Sequence, residues 1–390
     1  MKNNNVSKKT LGRIIGYIIL LIPFVTYPEY VLGNALYQLF HIYFAVSCML
    51  FIILALLRRP SMKNLAVALI PVLIFLPSLV SAINNNYTEA ILSGAKLILG
   101  CFSFVLFIVT LASKDKKSFR VFLSSIAIFY GIVTFLNILS FVLFYPGMGP
   151  KSFYLIGSDN GSIFETHLFV FASLLYFWLY RNETPKWFFL LLLIIFLGYM
   201  FVRSGNGMVF SLAFLFAASV SRKKMHIPTK TFLVIYSFLL ITIVLLNDTS
   251  IISPILTFLG KDATVSGRTY IWSLAPKYIK QQPIFGVGFE PQWLTTQKIW
   301  INRAHNLMLQ LLYTGGAYLL ISGILLTIRL LKKSKALRTS MPTIFILIFL
   351  MMGIMDFYIY KMTTVIFFAL IFSQIILEKR KNEENKNNYL

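Results

Sequence analysis

The stretch AILSGAKLILGCFSFVLFIVTLA, residues 90–112, followed at once by SKDKKSFR, residues 113–120, decides the fold class. The apolar run carries Lys96 as its sole charged residue. At about 1.5 Å of rise per helical residue it is long enough to cross a hydrocarbon core of roughly 30 Å. The cluster that follows, with Lys114, Lys116, Lys117 and Arg120, belongs in water. This alternation recurs along the chain. Apolar segments are expected near 14–33, 36–57, 64–83, 90–112, 119–144, 163–180, 187–202, 207–220, 230–247, 304–328, 342–359 and 362–377. Each reads as a helix, because an open sheet leaves backbone groups unpaired in lipid. The expectation is an all-α polytopic membrane protein with about 12 spans. A single integral membrane domain covers 1–380, and 381–390 forms a polar, disordered tail.

Composition excludes a soluble enzyme. The 390 residues are 58% hydrophobic and 13% charged, against about 25% charged in a typical soluble domain. The net charge of +23 has a topological rather than a nucleic-acid origin, since the basic residues gather in short clusters. These clusters run from Lys2 to Arg13, Arg58 to Lys63, Lys114 to Arg120, Arg181 to Lys186, Arg222 to Lys230, Arg329 to Arg338 and Lys379 to Lys386. They fall in every second connection, which makes those connections and both termini cytoplasmic by the positive-inside rule. The longest connection, 248–303, is then external, and long loops in compact proteins are usually functional. Lys2, Lys8, Lys9 and Arg13 before an apolar run imitate a signal peptide, but no small-residue cleavage site follows. Cys48 and Cys101 lie inside predicted spans, where neither a disulfide framework nor a metal site is expected. The sequence has no Asp-x-Asp pair, no His-x-x-x-His pair and no P-loop. It therefore supports neither metal-assisted transfer nor nucleotide hydrolysis, and no cofactor is expected.

The remaining basic residues gather at the outer face: Lys151, Arg203, Lys261, Arg268, Lys277, Lys280, Lys298, Arg303 and Lys361, with Lys96 inside a span. Ser266-Gly267-Arg268 opens a segment whose Ile271, Leu274, Tyr278 and Ile279 recur at helical spacing, with Tyr270 and Trp272 as interface aromatics. The pattern predicts a helix lying along the outer leaflet, kinked or ended by Pro276. QQPIFGVG, residues 281–288, then supplies a stop at Pro283 and two glycines, Gly286 and Gly288, that permit backbone geometry closed to other residues. It lacks the third glycine of a dinucleotide site. Arg303-Ala304-His305-Asn306 leads into a helix that continues through LQLLYTGG, residues 309–316. His305 is either a hydrogen-bonded interface residue or a general base, a role that needs the neutral imidazole. Arg203-Ser204-Gly205-Asn206-Gly207 places backbone N–H groups beside a guanidinium, which suits phosphate, although a capped helical hairpin has the same sequence. Lys96 either snorkels or touches a lipid diphosphate. Glu165 and His167 read as a structural pair, with contact to a sugar hydroxyl as the second reading.

These residues, over about 190–320, resemble the O-antigen ligase and polymerase superfamily of bacterial envelope polysaccharide assembly. The motifs are Arg203-Ser204-Gly205 at a hairpin, Ser266-Gly267-Arg268 with Trp272, Pro283-Ile284-Phe285-Gly286-Val287-Gly288, and Ala304-His305-Asn306 before Gly315-Gly316. The hairpin departs from the family, where the order is usually Ser-Arg-Gly. The resemblance implies a GT-C-like membrane glycosyltransferase at the outer face of the bacterial plasma membrane. Its donor is an oligosaccharide on a polyprenyl (undecaprenyl) diphosphate. The resemblance assigns the diphosphate to Arg203 and Arg268, with Arg303 and Lys96 beside them. His305 orients or deprotonates the acceptor, giving single displacement with inversion and no metal. Asn306, Gly286, Gly288 and Glu165 are supporting residues. Expected partners are membrane lipids, a flippase and a chain-length regulator, with no nucleic acid. A polymerase of capsule or O-antigen repeat units is favoured. The alternatives are a ligase, a transferase with Glu29 as base, and a transporter or flippase of lipid-linked sugars.

Overall fold

The computed structural model describes residues 8–25, 29–86, 88–144, 161–181, 183–201, 205–220, 228–258, 267–289, 304–335, 341–355, 365–366 and 368–377. Among these residues there is no strand. The helices are α1 (Lys8–Leu21), α2 (Glu29–Leu56), α3 (Met62–Asn84), α4 (Thr88–Lys114), α5 (Lys116–Phe144), α6 (Gly161–Tyr180), α7 (Lys186–Phe201), α8 (Gly205–Val220), α9 (Thr229–Leu239), α10 (Ser253–Phe258), α11 (Arg268–Ile279), α12 (Leu307–Lys335) and α13 (Met341–Met355). A further helical stretch covers Phe368–Leu377. Among the described residues, five segments are long and apolar enough to cross a membrane, at Gln38–Leu56, Met62–Asn84, Ala90–Lys114, Lys116–Leu139 and Leu307–Ser334. Shorter apolar helices cover Lys186–Met200, Gly207–Val220, Thr229–Leu245 and Phe368–Leu377. The chain is thus an all-α, multi-pass membrane protein.

The first expected segment, 14–33, is not one element. Helix α1 ends at Leu21 and a 3-10 turn, Ile22–Phe24, follows with Pro23 in it. Pro23 has no N–H for the Ile19 carbonyl, to which the Tyr43 hydroxyl donates instead, and residues 29–33 belong to α2. At the other end of the chain's first half, Asp115 separates α4 from α5. Its side chain accepts the Ser118 N–H at 2.9 Å and its carbonyl the Phe119 N–H at 2.9 Å, an N-cap for α5.

By its internal contacts the chain divides into two compact units. The first comprises residues 1–69, 99–192 and 361–390. Its centre is aromatic: Phe24, Phe51, Phe104, Phe107, Phe122 and Tyr17 are buried on α1, α2, α4, α5 and the 3-10 turn. Their rings meet at 4.9 Å (Phe51–Phe107), 5.0 Å (Phe107–Phe122) and 5.0 Å (Tyr17–Phe122), the last two edge to face. Lipid is as apolar as such a core, so what these rings contribute is close packing and quadrupole complementarity rather than escape from water. At one end of this unit Arg58 reaches Asp115 at 3.8 Å, and Asn64 donates to the Ser113 hydroxyl at 2.8 Å.

The second unit comprises residues 70–98 and 193–360. It is organised around a break in α12, where Gly316 sits at φ 61°, ψ −160°. An unbroken helix would bond the N–H of residue 317 to the carbonyl of 313, and that of 318 to 314. Here the turn 283–288 takes both rungs. The Val287 and Gly288 N–H groups donate to the Tyr313 and Thr314 carbonyls at 2.9 and 3.0 Å, while Ala317 and Tyr318 donate to the Pro283 and Ile284 carbonyls at 2.8 and 3.0 Å. Backbone irregularity at membrane depth is tolerable only when its polar groups are satisfied in this way.

Candidate functional site

The turn that enters the α12 break explains the glycines. Gly286 (φ 65°) and Gly288 (φ 103°) lie in the left-handed region that their sequence context led us to expect. A Cβ on Gly286 would overlap the Thr314–Gly315 peptide, and one on Gly288 would lie 2.7 Å from the Ala82 Cβ. Ser81 and Asn85 at the end of α3 fasten the turn. Asn85 and Gln282 exchange amide hydrogen bonds at 3.2 and 2.9 Å, Asn85 also donates to the Val287 carbonyl at 3.1 Å, and the Ser81 hydroxyl donates to the Gly286 carbonyl at 2.5 Å. Pro77, within α3, leaves the Leu73 carbonyl without its helical donor, and the Tyr318 hydroxyl fills that place at 2.9 Å. Phe289, fully buried, then lies against Gly94 of α4.

Upstream, Gly267 (φ 80°) delivers the chain into α11, with Arg268 as the first helical residue and part-buried. The α11 helix does not end at Pro276 but runs through it to Ile279. Proline removes one donor, that toward the Trp272 carbonyl, and the Lys280 N–H still reaches the Pro276 carbonyl at 3.1 Å. Asn247 (φ 60°), just after the π-helical end of α9 at Leu240–Leu245, donates to the Thr269 carbonyl at 2.9 Å and so anchors this first turn. Trp272 is not the interface aromatic expected of it. It is buried, one helical turn from Arg268, and its indole N–H donates to the Ala304 carbonyl at 2.9 Å.

That bond brings the α11 helix to the residue before His305. Asn306 is the N-cap of α12, accepting the Leu309 N–H on its side-chain oxygen at 3.0 Å. Its amide group donates to the Gly353 and Ile354 carbonyls at 3.3 and 2.9 Å, near the end of α13. One buried side chain therefore caps α12 and ties it to α13. Gln310 accepts the Ala304 N–H at 2.8 Å and donates to the Thr314 hydroxyl at 3.2 Å. Between these fixed neighbours His305 adopts φ 48° and remains partly exposed. A positive φ is uncommon outside glycine, though histidine is among the residues enriched there.

Of the residues singled out in the sequence, Lys96, Arg268, Gly286, Gly288, His305 and Asn306 belong to the second unit, with Lys96 half-buried two residues after Gly94. Glu165, nearly inaccessible, belongs to the first. Arg203 and Arg303 lie outside the described residues. Sequence reading gave no role to Gln310, Ser81, Asn85 or Gln282. A Gln four residues beyond an Asn N-cap was the available signal for Gln310; nothing local pairs Asn85 with Gln282. Among the described residues no group of three or more His, Cys, Asp or Glu side chains is placed to hold a metal.

Fold and site together define a multi-pass helical membrane protein with a part-buried arginine and a histidine carried by neighbouring, hydrogen-bonded elements. Residues 152–322 match the family model described as O-antigen ligase (Wzy_C), a segment that contains α6 to α11, the α12 break and every motif quoted above. That segment, less than half of the chain, is similar to the O-antigen ligase family, which supports a place in the O-antigen ligase and polymerase superfamily. No curated protein matches the chain.

Proposed function

We propose that this protein is a polymerase that transfers an oligosaccharide from a polyprenyl diphosphate carrier to a growing lipid-linked glycan at the outer face of the bacterial plasma membrane. The observation that carries the reading is the Trp272–Ala304 hydrogen bond, which couples the helix that starts with Arg268 to the residue before His305. The acceptor hydroxyl oxygen attacks the anomeric carbon, and its proton passes to the His305 imidazole. The bond from that carbon to the diphosphate oxygen breaks on the opposite face, so configuration inverts. Arg268 holds the charge that develops on the departing diphosphate, with Arg203, Arg303 and Lys96 as further cations. A diphosphate is an activated leaving group, so cations and one base meet the chemical need. Activity in EDTA is therefore expected, and a loss restored only by Mg²⁺ or Mn²⁺ would move the assignment to the rival transferase with Glu29 as base.

The test is His305→Ala, assayed for release of polyprenyl diphosphate by purified full-length chain. Turnover should fall roughly 10²- to 10⁴-fold, the range of one proton-transfer group, with donor binding retained. Near-normal turnover would remove His305 from the chemistry. A ligase shares this donor chemistry, and the family description favours keeping it as the second reading. The two are separated by product: a ladder of repeat units on lipid carrier for a polymerase, transfer to a distinct acceptor for a ligase. Transporters also contain interrupted helices, but leave the freed backbone groups for their ions. Here the chain's own turn occupies those on α12, which supports transfer over transport.

A further inference from the structure

The backbone of residue 304, just before His305, is held at its carbonyl and at its N–H by side chains from two different helices. Trp272 of α11 donates to the Ala304 carbonyl and Gln310 of α12 accepts the Ala304 N–H. Ala304, Trp272 and Gln310 are all buried, at 0%, 2% and 1% exposure. The next residue is the left-handed His305, and the one after it is locked as the α12 N-cap. A non-glycine residue keeps such a backbone only where its surroundings over-determine it, and residues of that kind cluster at functional sites. Relaxing His305 to the ordinary helical or extended region would rotate the peptides on either side of it and strain or break the Trp272 bond to the Ala304 carbonyl. Trp272 also lies one turn from Arg268 on α11, so the same indole fixes the distance between the helix bearing the cation and the strand of chain bearing the base.

We propose that Trp272 and Gln310 are positioning residues for the reaction. They hold the backbone of residue 304 so that His305 is aimed at the acceptor hydroxyl. The inference rests on the reading of His305 as proton acceptor. Its chemical content is in the indole N–H and the amide oxygen, not in bulk: phenylalanine would fill much of the tryptophan space and methionine that of glutamine, yet neither makes these bonds. A misplacement of about 1 Å at a reacting group costs on the order of 10²-fold in rate.

The experiment is a cycle with full-length protein in nanodiscs and, as probe, polyprenyl-diphosphate-linked oligosaccharide extracted from the source organism. Trp272→Phe and Gln310→Met are each made in the native background and in His305→Ala, with size-exclusion behaviour as the folding check. Each should lower kcat on the order of 10²-fold with donor KM unchanged in the native background, and change turnover less than about 2-fold when His305 is already absent. A structural role alone would cost the same factor in both backgrounds. Losses that add to that of His305→Ala, or variants with native kcat, would overturn the inference while leaving His305 as base. Near-native kcat in His305→Ala itself would overturn the underlying reading, and this inference with it.

Discussion

The two compact units use their polar residues in opposite ways. In the first, the described polar contacts near Asp115 tie helix ends together: Arg58 to Asp115, Asn64 to Ser113, and the Asp115 cap on α5. Its aromatic cluster is carried by helices and one 3-10 turn. In the second, Gln310, Asn85 and Ser81 bond main-chain groups of non-helical backbone at residues 304, 287 and 286, and Tyr318 bonds the Leu73 carbonyl that Pro77 leaves without a helical donor. The lesson is physical. Apolar packing makes a frame, and the irregular backbone that carries His305 is tolerated because its neighbouring polar groups are satisfied.

The largest effect that would test this division is at Arg268. Arg268→Ala should abolish chain growth, and Arg268→Lys should restore little of it, because lysine lacks the planar two-pronged donor geometry that matches a diphosphate oxygen pair. Gel analysis of lipid-linked glycan reads this directly, and full-length product from the alanine variant would remove the α11 N-terminus from the site.

A second comparison sets one glycine of each unit against the other. Gly286→Ala adds a Cβ to left-handed backbone against the Thr314–Gly315 peptide, with an expected destabilisation of roughly 2–4 kcal/mol. Gly12→Ala, in α1 with nothing within 4 Å, should be neutral or stabilise by up to about 1 kcal/mol. Thermal unfolding in one detergent compares them, and equal shifts would mean that the turn in the α12 break carries no special constraint.

The smallest effect is electrostatic. Burial raises the Asp115 pKa, but the Ser118 hydrogen bonds, with Arg58 and Arg13, outweigh it and hold the carboxyl below its ordinary value. A depressed carboxylate stabilises above its unfolded pKa, and that contribution is lost as pH falls through the folded one. Asp115→Ala should therefore cost about 1 kcal/mol near neutral pH, the usual worth of an N-cap, with the gap to the native chain closing below about pH 4. A gap independent of pH would show that the cap acts without its charge.

How much of this was legible depends on the range of the interaction. The 64–83, 90–112, 163–180 and 207–220 segments fall within two residues of α3, α4, α6 and α8, because hydropathy is a local property that lipid enforces on each span separately. The first segment failed at Pro23, where apolar composition ran on after the helix had stopped. Gly286 and Gly288 were readable as special backbone, and His305 and Arg268 as polar groups out of place in such a chain. Their partners were not. Trp272 looked like an interface aromatic and Gly315-Gly316 like a motif without a task, since their roles depend on residues 32 and about 30 positions away.

The sequence by itself determined that this is a helical membrane protein, where its long spans lie and which ionisable residues needed explaining, all consequences of what a bilayer tolerates residue by residue. The tertiary structure decided that α12 is broken, that residues 283–288 occupy the break, and that Trp272, Gln310 and Asn306 fix the backbone on both sides of His305. Those are pairings between distant backbone and side-chain groups, and a hydrogen bond that closes only when two segments meet leaves no periodicity in either of them.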